Sequence, residues 1–227
     1  MPNAQSKLAI LTLNTKIAGY LHKVLVKRLF RKLKALRERG VLLSARILAD
    51  RLALHGLRRV YGFHPWHAEA PLSARPYRLT LAEMINQLVP QCVVEVGCGL
   101  GVALALIDAP QRWGYDIDLG AIRAARFLRD KSIHFIEGGL TEVSQDPIDV
   151  LILVNWIHDF SPEQLDTWLS PLLPRTRHLV LDAIDPDNTL DYRYMHDYTF
   201  LAGRATRLVS VRPASEGRQF HLYQVIR

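Results

Sequence analysis

The chain has 227 residues and a mass of 25.8 kDa, with 49% hydrophobic and 22% charged residues. That suits one mid-sized globular domain with an added segment and excludes a mainly disordered chain. The net charge of +7 is unevenly placed: residues 1–60 carry 14 Lys and Arg against Glu38 and Asp50, and the remainder carries 15 basic and 20 acidic residues.

Taken in chain order, the apolar run Leu8–Leu13 is shorter than the core of a secretory leader. No stretch approaches about 18 uninterrupted apolar residues, so neither a leader nor a spanning helix is expected. Only two cysteines occur, Cys92 and Cys98, too few for a disulfide scaffold or a four-cysteine zinc site. Along one strand, six steps of about 3.3 Å hold them too far apart to bridge, and a reducing cytoplasm is expected.

Residues 6–38 read as an amphipathic helix. Ile17, Leu21, Leu25, Leu29, Leu33 and Leu36 follow helical spacing, with Lys16, Lys23, Lys27, Arg31, Lys34 and Arg37 on the flanks and Gly40 as a stop. A second helix is expected over Leu42–Val60. Residues 1–62 thus form a basic helical extension, and 63–227 the main domain. The aliphatic stripe suits docking on the domain or on a twin subunit, as in a homodimer. With the charge it also suits peripheral attachment to an anionic membrane surface at its inner face. Nucleic acid is the less favoured partner, because the stripe lacks aromatics for base stacking.

From residue 90 strands and helices alternate. Strands are expected at Cys92–Val96, Arg112–Asp116, Ile133–Ile136, Val150–Val154 and His178–Ala183, and a closing pair at Ala205–Val211 and Phe220–Ile226. Helices are expected at 100–108, Leu119–Leu128, Pro162–Leu172 (opened by Ser161 and Pro162) and Tyr192–Leu201. The continuous apolar run VLILV marks a strand buried on both faces. The fold class is therefore α/β: a doubly wound, mostly parallel seven-stranded sheet with a closing antiparallel strand pair, preceded by a helical extension.

After the first strand comes Glu95-Val96-Gly97-Cys98-Gly99-Leu100-Gly101, a glycine spacing that brings backbone close to a ligand. The dinucleotide fingerprint would need glycine at Val102. The form E-x-G-x-G-x-G resembles motif I of the class I S-adenosylmethionine (SAM) methyltransferases. The second strand ends in Gly114-Tyr115-Asp116, one helix further on, and the closing strand pair also resembles that family. The resemblance covers about residues 75–227. It implies SAM as cofactor, with Gly97, Gly99 and Gly101 around its methionine part, Glu95 toward its ammonium, and Asp116 on its ribose. It also implies Ile117, Gly139 and Leu140 beside adenine. Gly139 stands where the family often has Asp, so backbone and apolar contacts are expected to hold the adenine.

Asn155-Trp156-Ile157-His158-Asp159-Phe160 follows the fourth strand. It resembles the W-x-x-H-D-W stretch of small-molecule O-methyltransferases with one residue fewer. That resemblance implies Asn155 and Trp156 at the reactive methyl and His158, beside Asp159, as general base. No N-P-P-Y motif of nucleic-acid amino-methyltransferases is present, which favours oxygen as acceptor. Two clusters are expected to bind the acceptor: His64, Trp66, His67, Arg75 and Tyr77, placed as a lid, and Asp182, Asp185, Arg193 and His196 after the fifth strand. Their irregular spacing suggests no metal site. The expected activity is SAM-dependent O-methylation of a small molecule or a lipid-linked glycan. The sequence series is similar to small methyltransferases of bacterial surface-polysaccharide clusters. An RNA methyltransferase and a non-catalytic SAM-fold binding module are the alternatives.

Overall fold

The computed structural model describes residues 40–69, 71–185, 192–213 and 217–226. The expected helix over 6–38 lies outside the described residues. The chain divides into two compact units, Met1–Ala49 and Asp50–Arg227. Helix α1 spans Val41–Tyr61. It stops where Gly62 turns left-handed (φ +75°) and its N–H donates to the Arg58 carbonyl at 2.8 Å, a close that a side chain at 62 would strain. No described helix is long and apolar enough to cross a membrane.

Two helices precede the sheet, α2 (Pro65–Glu69) and α3 (Tyr77–Asn86). The strands are β1 (Cys92–Val96), β2 (Gln111–Asp116), β3 (Ile133–Glu137), β4 (Ile148–Leu153), β5 (Thr176–Ile184), β6 (Ala205–Val211) and β7 (Arg218–Val225). Helix α4 (Leu119–Leu128) and helix α5 (Pro162–Leu169) lie between strands. The sheet order is β3-β2-β1-β4-β5-β7-β6. The first five strands run parallel, and β7 pairs antiparallel with both β5 and β6.

The expected fold class holds, because alternation along the apolar strands supplies two cores. Val93, Val150, Ile152, Val180 and Phe220 pack on one face with Leu81 and Ile85 of α3. Val94, Leu151, Leu153, Leu179 and Leu181 pack on the other with Leu165 and Leu169 of α5. Each fully buried aliphatic side chain contributes about 1.5–3 kcal/mol. Local signals agree with this packing. Asp118 caps α4 by accepting from Ala121 N–H, and Ser161 and Gln164 form a capping box on α5. Cys92 and Cys98 are buried free thiols.

Two expected helices are corrected. Residues 100–108 form turns and one 3₁₀ turn, Leu104–Leu106. Gly101 sits at φ +64°, and the carbonyls a helix would pair internally are taken by side chains. Asn86 Nδ2 donates to Leu106 O, and Arg112 donates to Leu104 O and Ile107 O. Residues 192–198 run as an extended strap into a 3₁₀ turn at Thr199–Leu201. Tyr198 is left-handed there (φ +61°), and Tyr194 N–H donates to His158 O at 2.9 Å. Along the strap His196 and Tyr198 are buried, while Arg193, Met195, Asp197 and Thr199 are exposed.

Candidate cofactor and acceptor site

Most of the candidate cofactor residues lie where the parallel strands end. The loop after β1 is anchored by Gly97 and Cys98, whose N–H groups both donate to Tyr115 O at 2.7 and 3.0 Å. A Cβ at Gly97 would stand 2.2 Å from Trp156 Cδ1, and one at Gly99 would stand 2.8 Å from His67 Nδ1. Both residues are left-handed, so space and conformation together require glycine.

At the tip of β2, Asp116 is buried and ties this loop to the next turn. Its Oδ2 accepts from Gly99 N–H at 2.7 Å and its Oδ1 from Asp118 N–H at 2.9 Å. Each carboxylate oxygen has capacity for one bond more. Asp118 also accepts from His64 N–H at 2.7 Å and faces His67 Nε2 at 3.5 Å. Ile117 is almost fully exposed beside them. Gly139 is half-buried at the exit of β3, and its N–H donates to Glu142 Oε2 at 2.6 Å. A carboxylate therefore stands at this exit after all, supplied three residues later. Hydrogen bonds from the Thr141 hydroxyl and the Gly139 amide hold its pKa below the usual range. Leu140, expected among the cofactor residues, is buried in the core beside it.

Glu95 lies on β1 between Gly114 and Ile152. It is buried, and its Oε2 has no hydrogen-bond partner among the described residues. Burial raises its pKa to about 8, with the charge of Arg78 pulling the other way.

At the tip of β4 the polar groups satisfy one another. Asn155 is left-handed (φ +75°); its N–H donates to Asp182 Oδ1 at 3.0 Å and its Nδ2 to Tyr77 OH at 2.8 Å. Arg218 donates to Asn155 Oδ1 and, at 2.6 Å, to Asp182 Oδ2. It also donates to Tyr192 OH, and its guanidinium lies 4.7 Å from the centre of the Tyr77 ring. Trp156 Nε1 donates to Val96 O at 2.7 Å, which holds the indole over Gly97.

His158 has no exposed surface. Its Nδ1 faces Tyr194 O and its Nε2 faces Asp182 Oδ1, each at 3.2 Å. A general base must reach the proton it removes. Here both ring nitrogens are engaged with the protein, so the expectation of a base at His158 is corrected to a part in joining β4, β5 and the strap. Asp182, equally buried, belongs to the same knot rather than to an acceptor surface.

The other expected residues are spread more widely. Asp159 is exposed on the turn after β4. Asp185 pairs with Arg212, and exposed Arg193 lies over Tyr194. His196 is buried; its Nε2 meets Ile157 O at 3.0 Å, its Nδ1 has no partner among the described residues, and burial lowers its pKa. Trp66 is partly exposed with the Arg75 guanidinium 3.9 Å from its ring centre, and His64 Nδ1 accepts from Trp66 N–H. Sequence reasoning missed Arg218 and Glu142.

No family model matches the sequence, and a search of curated proteins returns no match. Solved structures do resemble it. The N-methyltransferase NodS from Bradyrhizobium japonicum WM9, in complex with S-adenosyl-L-homocysteine, is 14% identical with a TM-score of 0.61, over 76% of this chain and 98% of that one. Magnesium protoporphyrin IX methyltransferase (ChlM) from Synechocystis PCC 6803 with bound SAM is 15% identical with a TM-score of 0.53, over 78% and 93%. Human N-acetylserotonin methyltransferase (ASMT) in complex with SAM is 14% identical with a TM-score of 0.52, over 68% and 52%. At these identities the likeness is one of fold. The chain has the fold of the class I SAM-dependent methyltransferases.

Proposed function

We propose that this chain is a SAM-dependent methyltransferase acting on a hydroxyl of a small molecule or glycan. The observation that carries the cofactor is the buried Glu95 Oε2, without a partner among the described residues, just before a loop tied to the half-saturated carboxylate of Asp116. The two fit the two ends of SAM. Asp116 would accept from the ribose hydroxyls, and Glu95 would meet the ammonium of the methionine part. When bound, SAM supplies an electrophilic methyl on a sulfonium, so positioning does most of the catalytic work. Asn155 and Trp156, fixed by Asp182 and by Val96 O, hold the tip of β4 rigid beside that end. Glu95 gives up its proton there, since burial raises its pKa to about 8 and a cation beside it lowers it again.

An oxygen acceptor is supported by the lack of an N-P-P-Y stretch, the mark of nucleic-acid amino-methyltransferases, in the sequence. A lipid-linked acceptor at an anionic membrane surface is supported by the charge of residues 1–60. Calorimetric titration with SAM tests the cofactor. Micromolar binding with proton release at neutral pH is expected, together with a loss of at least about tenfold in Asp116→Ala, as befits charge-assisted hydrogen bonds. Equal affinity of the two proteins would remove Asp116 from the site. Transfer of labelled methyl from SAM to a panel of sugars, phenols and lipid-linked glycans tests the acceptor. Label found only on amines would overturn the oxygen reading.

A further inference from the structure

The geometry points to His67 as a nucleoside-binding residue: its imidazole closes over the ribose that Asp116 accepts, at the cofactor end of the site and not at the acceptor end. This rests on the cofactor reading above. The ring packs directly on the backbone of Gly99, the residue whose N–H holds Asp116 Oδ2. Its Nε2 faces Asp118 Oδ2 at 3.5 Å, too long for a firm hydrogen bond, so the ring is aimed but not saturated.

The segment that carries it is fixed to the same turn. His64 N–H donates to Asp118, Arg58 donates to Phe63 O at 3.1 Å, and the Phe63 ring meets His67 edge-on. Gly120 leaves room for this segment, because a Cβ there would stand 2.7 Å from Phe63 N and Tyr61 O. A ligand hydroxyl that reaches Asp116 beside Gly99 therefore has His67 as its neighbour.

The charges around the ring give the proposal a pH dependence. Asp116 and Asp118 face it from β2 and the cap of α4, His64 from its own segment, and Arg78 from α3. Burial outweighs the two carboxylates and holds the imidazole below its usual pKa, so it is neutral at pH 7. Once protonated it pairs with the carboxylates that the ribose needs, and it repels the sulfonium of SAM. Affinity for the nucleoside part should then fall in acid, below the ordinary range of an imidazole.

The test titrates the full chain with SAM, and then with adenosine, which lacks the amino-acid part, at about pH 8 and about pH 5.5. Wild type is expected to bind SAM more weakly at the lower pH. His67→Ala is expected to lose about tenfold for both ligands at pH 8, and to lose the acid dependence of adenosine binding, to which Glu95 does not contribute because adenosine carries no ammonium. His67→Asn, which fits the same space and keeps a donor, should recover part of the loss, and it covers the case of an unfolded alanine variant. Unchanged or tighter binding by His67→Ala at pH 8 would make the ring a bystander or an obstacle and overturn the proposal. If wild type ignores SAM, the cofactor reading itself has failed. If Asp116→Ala loses affinity and His67→Ala does not, only the role of His67 has failed.

Discussion

The two halves of the strand-end edge are built on opposite plans. At β1 and β2, Glu95, Asp116 and His67 are held in place yet keep hydrogen-bonding capacity to spare. At β4 and β5, Asn155, Asp182, His158 and Arg218 spend their groups on one another. Buried polar groups are normally satisfied, and those that are not need a reason. The difference separates groups with bonding capacity left over from groups that hold the edge in shape. Sequence alone treats them alike, since a carboxylate at a strand tip looks the same in both.

The sharpest way to break this contrast is to remove Asp182. The buried Arg218 guanidinium would lose its carboxylate, and breaking such a pair costs about 3–5 kcal/mol. Asp182→Ala should lower the urea midpoint accordingly, and a change of less than about 1 kcal/mol would show that the knot is slack. Glu95 should behave in the opposite sense. Its folded pKa of about 8 lies above the ordinary 4.5, so the folded state keeps a proton that the unfolded chain loses. Wild-type stability should therefore be full below pH 4.5 and fall as the pH rises toward 8. Glu95→Gln removes that fall and should be more stable than wild type at pH 8, by on the order of 2–4 kcal/mol, with no advantage in acid. Parallel stability curves for the two proteins would mean that Glu95 is ionised in the fold. The smallest effect is expected at the seam between the halves. Gly97→Ala pushes a methyl into Trp156 and strains a left-handed residue, for about 1–3 kcal/mol. A shift in tryptophan emission should accompany it, and an unmoved spectrum would place the indole elsewhere.

Much of the scaffold was legible in local pattern. Leu119–Leu128 and Cys92–Val96 have the expected bounds, because capping and apolar runs act over a few residues. The glycine spacing and Asp116 were legible for the same reason. Helix α3 is absent from the expected elements although Tyr77, Leu81 and Ile85 stand at helical spacing, since the aromatic cluster that runs into its first turn carries the stronger local signal. The strap at 192–198 was read with the wrong period: its aromatic and histidine positions alternate, which is a period of two. Arg218 was illegible for a deeper reason. It meets Asp182 only because β7 inserts antiparallel beside β5, with Ile184 opposite Arg218, and no local feature of Arg218–Val225 announces that register. His158 failed likewise: its motif names the residue, but its burial depends on the strap and on β5 together.

The insertion of β7 between β5 and β6 also bears on the order in which a ribosome delivers the parts. All five parallel strands, and Asp182 with them, are translated before the codon for residue 218 is read. Until then the nascent sheet carries a carboxylate in its interior with no guanidinium beside it, and Asn155 has no fixed partner for its side-chain oxygen. Completion of the edge therefore waits for the last strand. A chain halted short of Arg218 should be recognisable to the cell's proteases as unfinished, even though every glycine of the loop and every carboxylate of the nucleoside half is already present.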